Sequence, residues 1–287
     1  MVVLAERRSS RSALWASRFA TFAAVLLVVS GLGHRFGLVE TIGFFWLLGL
    51  VAALAVAALL LAAAGFFQLW NFGDRGGYSA AWAVLVALVV LAPFMVSAWR
   101  VYAYPQLSDI STDVADPPPL SAAARLRTAE MNPVAPISEA QGVLQAESYP
   151  DITGRRYPLS ADRVQELAAS LVLAQGWVFT DQPTPSLAGG DSFIQALAKT
   201  TFLALPVDIA IRITDEGDTS YVDMRSASRY GRHDLGDNAA RIRSFLLALD
   251  AAVAGAAGTP PSEEQLPAGE PPAPTGDVPV PTEPPAE

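Results

Sequence analysis

The chain has 287 residues, of which 52% are apolar and only 16% charged, a balance too oily for a wholly water-soluble protein. Its formal charge of -9 excludes a general nucleic-acid binder, because phosphate backbones require an extended basic surface. Cysteine is absent, which removes disulfides, thiolate nucleophiles, cysteine-held metal and lipidated cysteines.

Three charge-free apolar runs occupy the first third: Phe19–Gly33, Thr41–Phe67 and Tyr78–Trp99. The second and third, of 27 and 22 residues, are long enough at about 1.5 Å rise per residue to cross a bilayer core. The first has 15 residues and spans only if Leu14–Ser17 join it and Arg18 snorkels. A cleaved signal peptide with Arg7, Arg8 and Arg11 as its basic region is the rival reading. No A-x-A site follows the run, and the arginine pair lacks the apolar residues of a twin-arginine signal, so a retained helix is expected.

Arg7, Arg8, Arg11 and Arg18 precede the first run and Arg75 lies between the second and third, against Arg35 and Arg100 on the other side. The positive-inside rule therefore predicts a cytoplasmic N-terminus. Three crossings would carry everything after Trp99 outside, into the periplasm if the membrane is the inner membrane of a Gram-negative cell. Pro93 predicts a kink that neighbouring helices tolerate, and the small residues from Ala52 to Gly65 predict close helix packing. No charged residue interrupts the runs, so a proton relay or ion path has no obvious participants.

Residues 1–104 thus read as a membrane domain and 105–120 as a linker, since Asp109–Leu120, DISTDVADPPPL, is acidic and carries a triple proline that favours extended chain. Residues 121–258 read as an exterior domain. Asn132-Pro133 and Ala135-Pro136 mark breaks, followed by a short helix over Glu139–Glu147. Ser160 is placed to cap a helix through Ala174, with Val164, Leu167, Ala168 and Leu171 at helical spacing and Gly176 just beyond. Short strands are predicted at Trp177–Thr180 and Phe193–Lys199.

Val207, Ile209, Ile211 and Ile213 alternate with Asp208, Ala210, Arg212 and Thr214, the period of a half-buried strand. A second strand runs from Thr219 to about Ala227 across a DEGD loop. Counting outward from Thr214 and Thr219 sets Ile211 opposite Val222, Ile209 opposite Met224, Ala210 opposite Asp223 and Asp208 opposite Arg225. Asp234 is placed to cap a last helix through about Ala252, with Leu235, Ile242, Phe245, Leu246 and Leu249 as its core stripe. The expected class is α+β: three transmembrane helices, then a two-layer domain of antiparallel sheet packed with two helices. The tail 259–287, with ten prolines, six acids and no base, is predicted disordered.

The segment Arg225–Arg243 concentrates five arginines and a histidine where strand becomes helix, and helix N-termini attract anions. Val222–Leu246, VDMRSASRYGRHDLGDNAARIRSFL, resembles the signature of the domain of unknown function 1499 family, an RSxSRxGxxDxGxN segment leading into a helix that begins RI. Asp109–Pro118, Tyr149–Ile152 and Val207–Arg212 are also similar to family members, and the three preceding helices resemble its bacterial branch. The resemblance implies no known activity. It implies that Arg225, Ser226, Ser228, Arg229, Gly231, Asp234, Gly236, Asn238 and Arg241 form one shared motif. Members often carry paired aspartates where this chain has Val207 before Asp208, which tells against any role needing two adjacent carboxylates.

Two functional readings follow. In one, the domain docks an envelope partner through its polar sheet face and proline-rich tail. In the other, Arg225, Ser226, Ser228, Arg229, Arg232, Asn238 and Arg241 hold an anion, whether phosphate, lipid headgroup or acidic sugar, beside the last helix. The competing structural role is that these arginines brace the sheet and satisfy Asp223, Asp234 or Asp237. A hydrolase built on Ser226 or Ser228 with His233 and Asp234 is a remote third, since no G-x-S-x-G elbow exists. No metal or cofactor is expected: His34 and His233 are the two histidines, and DEGD lacks the spaced ligands of a calcium loop.

Overall fold

The computed structural model describes residues 9–183 and 190–257. The proline-rich tail and the Arg7-Arg8 pair lie outside the described residues. Helices α1 (Arg11–Arg35), α2 (Thr41–Phe72) and α3 (Gly77–Ala103) are each long and apolar enough to cross a membrane. Helix α1 outruns its apolar stretch because Ser10 caps it, its hydroxyl accepting from the Ala13 amide.

Small side chains join the three helices. Ala16, Ala20 and Ala23 of α1 are fully buried in one cluster with Ala55, Ala58 and Ala62 of α2 and Ala83 and Ala87 of α3. Gly65 approaches α1 so closely that an added Cβ would stand 3.1 Å from the Ala13 nitrogen, as expected where backbones rather than bulky side chains meet.

Beyond α3 the chain builds an antiparallel sheet in the order β1-β6-β5-β4-β3, with β1 (Asp109–Ser111), β3 (Val178–Phe179), β4 (Asp191–Lys199), β5 (Pro206–Asp215) and β6 (Ser220–Ser228). Strand β2 (Arg155–Tyr157) pairs with β6 beyond the end of β1. Helices α6 (Ala161–Ala174) and α7 (Asp237–Ala257) cover one face, where Val164, Ala168, Ile194, Ile211, Met224, Ile242 and Phe245 share the core. The other face carries α4 (Ser121–Leu126), whose Ala123 packs with Leu120 on Ala210 and Ala227. Helix α5 (Glu139–Ser148) opens with a Ser138–Gln141 capping box. The α+β layering matches the expectation.

Four details differ from it. The stretch anticipated as a spacer belongs to the domain: Ile110 and Ser111 are fully buried and pair with Ser226 and Arg225. Three residues of strand are too few for periodicity to reveal. The β5–β6 hairpin is shifted by two in register, pairing Ile211 with Met224, Ile213 with Val222, Ala210 with Arg225 and Asp208 with Ala227. Asp215 and Ser220 still pair, so the loop is Glu216–Thr219, closed by the Glu216 amide on the Thr219 carbonyl and by the Asp215 carboxylate accepting from the Gly217 amide.

Ser160 precedes α6 but makes no side-chain cap bond. Leu235 precedes α7 with φ 58° instead of joining its stripe, and Ala239 takes its place in the core.

The domain sits directly on the membrane helices. Arg100 pairs with Asp237 at 3.0 Å, the His34 ring bonds the Leu203 carbonyl at 2.8 Å, and Phe45 meets Tyr230 edge-on. Gly236, at φ +81°, presses on Tyr104, whose ring would stand 2.7 Å from an added Cβ. Left-handed backbone alone costs an L-residue about 1–2 kcal/mol. Gly236→Ala is therefore expected to lower the thermal unfolding midpoint of the detergent-solubilised chain and to speed protease cutting between 103 and 108. An unchanged midpoint and digestion pattern would contradict this seating.

Candidate functional site

Side chains alternate across a strand, and along β6 this sorts the arginine motif into two groups. Val222 and Met224 enter the core under α7, and Ser226 and Ser228 follow them on that face. Asp223, Arg225 and Ala227 point to the opposite face, as does Arg229 just beyond the strand. The sheet thus stands between two halves of the seven-residue cluster anticipated as one anion site.

On the outer face the arginines meet carboxylates. Arg225, 4% exposed, grips Asp109 bidentately at 3.0 and 2.7 Å and also donates to the Ala135 carbonyl. Arg229, 8% exposed, forms a second fork on Asp208, whose other oxygen accepts from Arg127 at 2.8 Å. Arg212 draws Asp113, Asp116 and Asp223 together. These bonds strap residues 109–135 across the sheet. Truncating one member of such a buried pair typically costs about 3–5 kcal/mol, since the other charge is left uncompensated. Neither Arg225 nor Arg229 pairs with Asp223, Asp234 or Asp237; their carboxylates come from the supposed spacer and from β5.

On the α7 face, Ser226, Ser228, Asn238 and Arg241 do converge. Fully buried Asn238 accepts from Ser226 at 2.8 Å and from Arg241 at 3.0 Å, and donates to the Ser228 hydroxyl and the Ser108 carbonyl. Asp234 occupies the start of α7, accepting from the Gly236 and Asn238 amides, so those donors are already filled. Burial raises the Asp234 pKa against the pull of those amides. It lowers that of Arg241, which among the described residues forms no ion pair.

His233 is turned away from both serines. Its Nδ1 accepts from the Leu235 amide, which leaves Nε2 to donate to the Val101 and Tyr104 carbonyls at the end of α3. A nucleophile–base pair is therefore not formed by Ser226, Ser228, His233 and Asp234. The histidine instead ties α3 to the domain.

Arg232, which is not part of the shared motif but is one of the seven candidate residues, is exposed, and among the described residues it makes no hydrogen bond or ion pair. It borders a cleft of about 450 Å³ on the strap side, with Gln106, Ser108, Asp109, Asn132 and Gln141 among the lining residues. Asp109 and Arg127, which also line it, are both paired, Asp109 with Arg225 and Arg127 on the Asp208 carboxylate that it shares with Arg229, whereas Arg232 has no partner among the described residues. Gln106 and Asn132 escape sequence reasoning because single amides in irregular chain carry no periodic signal, and Gln141 because nothing in the pattern of the short helix α5 marks one of its residues as facing a cleft. Asp109 was visible within DISTDVADPP, although its pairing with Arg225 was not.

Residues 109–249 match the model of a family described as protein of unknown function (DUF1499), the family that the motif resembles. No curated protein matches the chain.

The two groups predict different responses. Asn238→Ala orphans buried partners at about 1–3 kcal/mol, whereas Arg232→Ala should stay within about 0.5 kcal/mol of the parent. Chemical unfolding of the full chain checks this. Equal losses would contradict the division.

Proposed function

We propose that this chain is a non-enzymatic binding protein, anchored by three helices with its domain on the extracytoplasmic side of the membrane, that takes a small anionic ligand in the strap-side cleft. The supporting observation is the guanidinium of Arg232, which stands free in a polar recess whose other charges are paired. Guanidinium suits phosphate and carboxylate oxygens because its N–H fork matches their geometry. Gln106 and Gln141 supply neutral donors along the wall. The preference is thus for an oxyanion carried on a polar body, such as a uronate, over a bare aliphatic acid.

The orientation rests on the arginine excess before the first apolar run, at Arg7, Arg8, Arg11 and Arg18, and on Arg75 between α2 and α3. An envelope protein that docks on the domain is the second reading, supported by exposed Val143, Leu173, Val178 and Leu247 on the domain surface. The cleft reading is preferred because a recess bordered by an unpartnered guanidinium selects a ligand, whereas isolated exposed apolar residues are ordinary.

Titration of the detergent-solubilised full chain with inorganic phosphate and with glucuronate, followed by NMR at the arginine Nε–H groups, tests the proposal. Saturable shifts at Arg232 that Arg232→Gln abolishes are expected. Shifts confined to Arg241, or none with either probe, would overturn it. Separately, an alkaline phosphatase fusion after Gly258 should be active in intact cells, and a cytosol-only signal from a fluorescent fusion at the same place would overturn the orientation.

A further inference from the structure

Where the domain rests on α3 a second cavity of about 250 Å³ opens, distinct from the strap-side cleft and lined mainly by apolar groups. Its floor is Pro93, Val96 and Ser97 of α3, and its walls are the β4–β5 loop, with Phe202 and Leu205, and the turn before α7, with Leu235. From Arg100 down to Pro93 is seven residues of helix, or about 10 Å at about 1.5 Å per residue. The cavity therefore reaches from the helix end into the depth where acyl chains lie.

Two observations bear on its occupant. Phe202 on its rim is 90% exposed and Val96 on its floor 56% exposed, so the recess is continuous with the lipid-facing side of α3 rather than sealed inside the domain. The non-glycine residues with positive φ among those described are Ala204, at 53°, and Leu235, at 58°, and both lie in the loops that build the walls. A branched residue held there is strained, and such strain persists where surrounding structure enforces it, often at binding sites. The paired Arg100 and Asp237 also line the cavity, on its membrane-surface side, both partly exposed.

We infer that this junction cavity holds the acyl chain of a phospholipid from the leaflet beneath the domain, entering sideways along α3, with its headgroup beside Arg100. The size fits part of a lipid tail, being below the roughly 300 Å³ at which pockets for whole small molecules begin. Arg100 has its guanidinium at the membrane surface, where lipid phosphate is the abundant anion.

The test reconstitutes the full chain in nanodiscs containing a phosphatidylethanolamine or phosphatidylglycerol with a diazirine in its acyl chain, followed by photolysis and peptide mapping. Adducts are expected at Tyr230 and Leu235, domain residues that a lipid lying flat on the helices does not reach. Ser97→Phe and Leu205→Phe fill the cavity from its floor and from a wall and should each remove those adducts while leaving labelling at Leu85 and Val89, on the exposed surface of α3, unchanged. Two variants guard against one failing to fold, and retained Leu85 labelling reports an intact helix. Labelling of Leu85 and Val89 without Tyr230 or Leu235, persistence of the Tyr230 adduct in both filled variants, or competition for the site by free fatty acid but not by unlabelled phospholipid would each overturn the inference.

Discussion

Alternation along β6 is the constraint on which the arrangement depends. Nine residues of strand send Val222, Met224, Ser226 and Ser228 toward α7 and Asp223, Arg225 and Ala227 toward the strap. A one-residue slip would exchange the two sets, placing buried arginines in an apolar core. The ion pairs on the strap side, Arg225 with Asp109, Arg229 and Arg127 with Asp208, and Arg212 with its three aspartates, are what make that face a buried one. The arginines that dominate the sequence are thereby committed to the fold.

That commitment shapes what remains for function. With the other strap-side arginines paired, Arg232 gains weight as a group without a partner among the described residues, and Arg241 is held by neutral partners on the α7 face. The same turn that carries Arg232 continues through His233, Asp234 and Leu235 into the seat on α3. Membrane helices, strap-side cleft and junction cavity consequently meet around one strand-to-helix connection. A ligand at the cleft and a lipid at the junction would act on neighbouring residues of one turn.

Much of the fold was legible in the sequence. Apolar run length announced three spanning helices, period-two alternation announced β5 and β6, and helical spacing announced α6 and α7. The family signature was legible too. What escaped were features that no local pattern encodes: the three-residue strands β1 and β2, the two-residue shift of the hairpin, and the partner of each arginine. Asp109 lies 116 residues from Arg225 in the chain, so only the topology brings them together. Asp208 was expected opposite Arg225, and with the hairpin loop at Glu216–Thr219 it faces Ala227 and takes Arg229 and Arg127 instead. The polar cleft was invisible for the same reason, being lined from irregular chain, the ends of β1 and β6 and the first turn of α5, which lie far apart in sequence.

Arg225 and Arg229 are buried and paired with carboxylates on the strap side of the sheet, while Arg232 is exposed and makes no ion pair among the described residues. Nε–H exchange measured by NMR on the full chain in nanodiscs tests this division most directly, because a guanidinium locked in a bidentate carboxylate bond is shielded from solvent catalysis. Strong protection at Arg225 and Arg229, with Arg232 exchanging at the rate of an exposed arginine, is the predicted result. Fast exchange at Arg225 and Arg229 alike would contradict it.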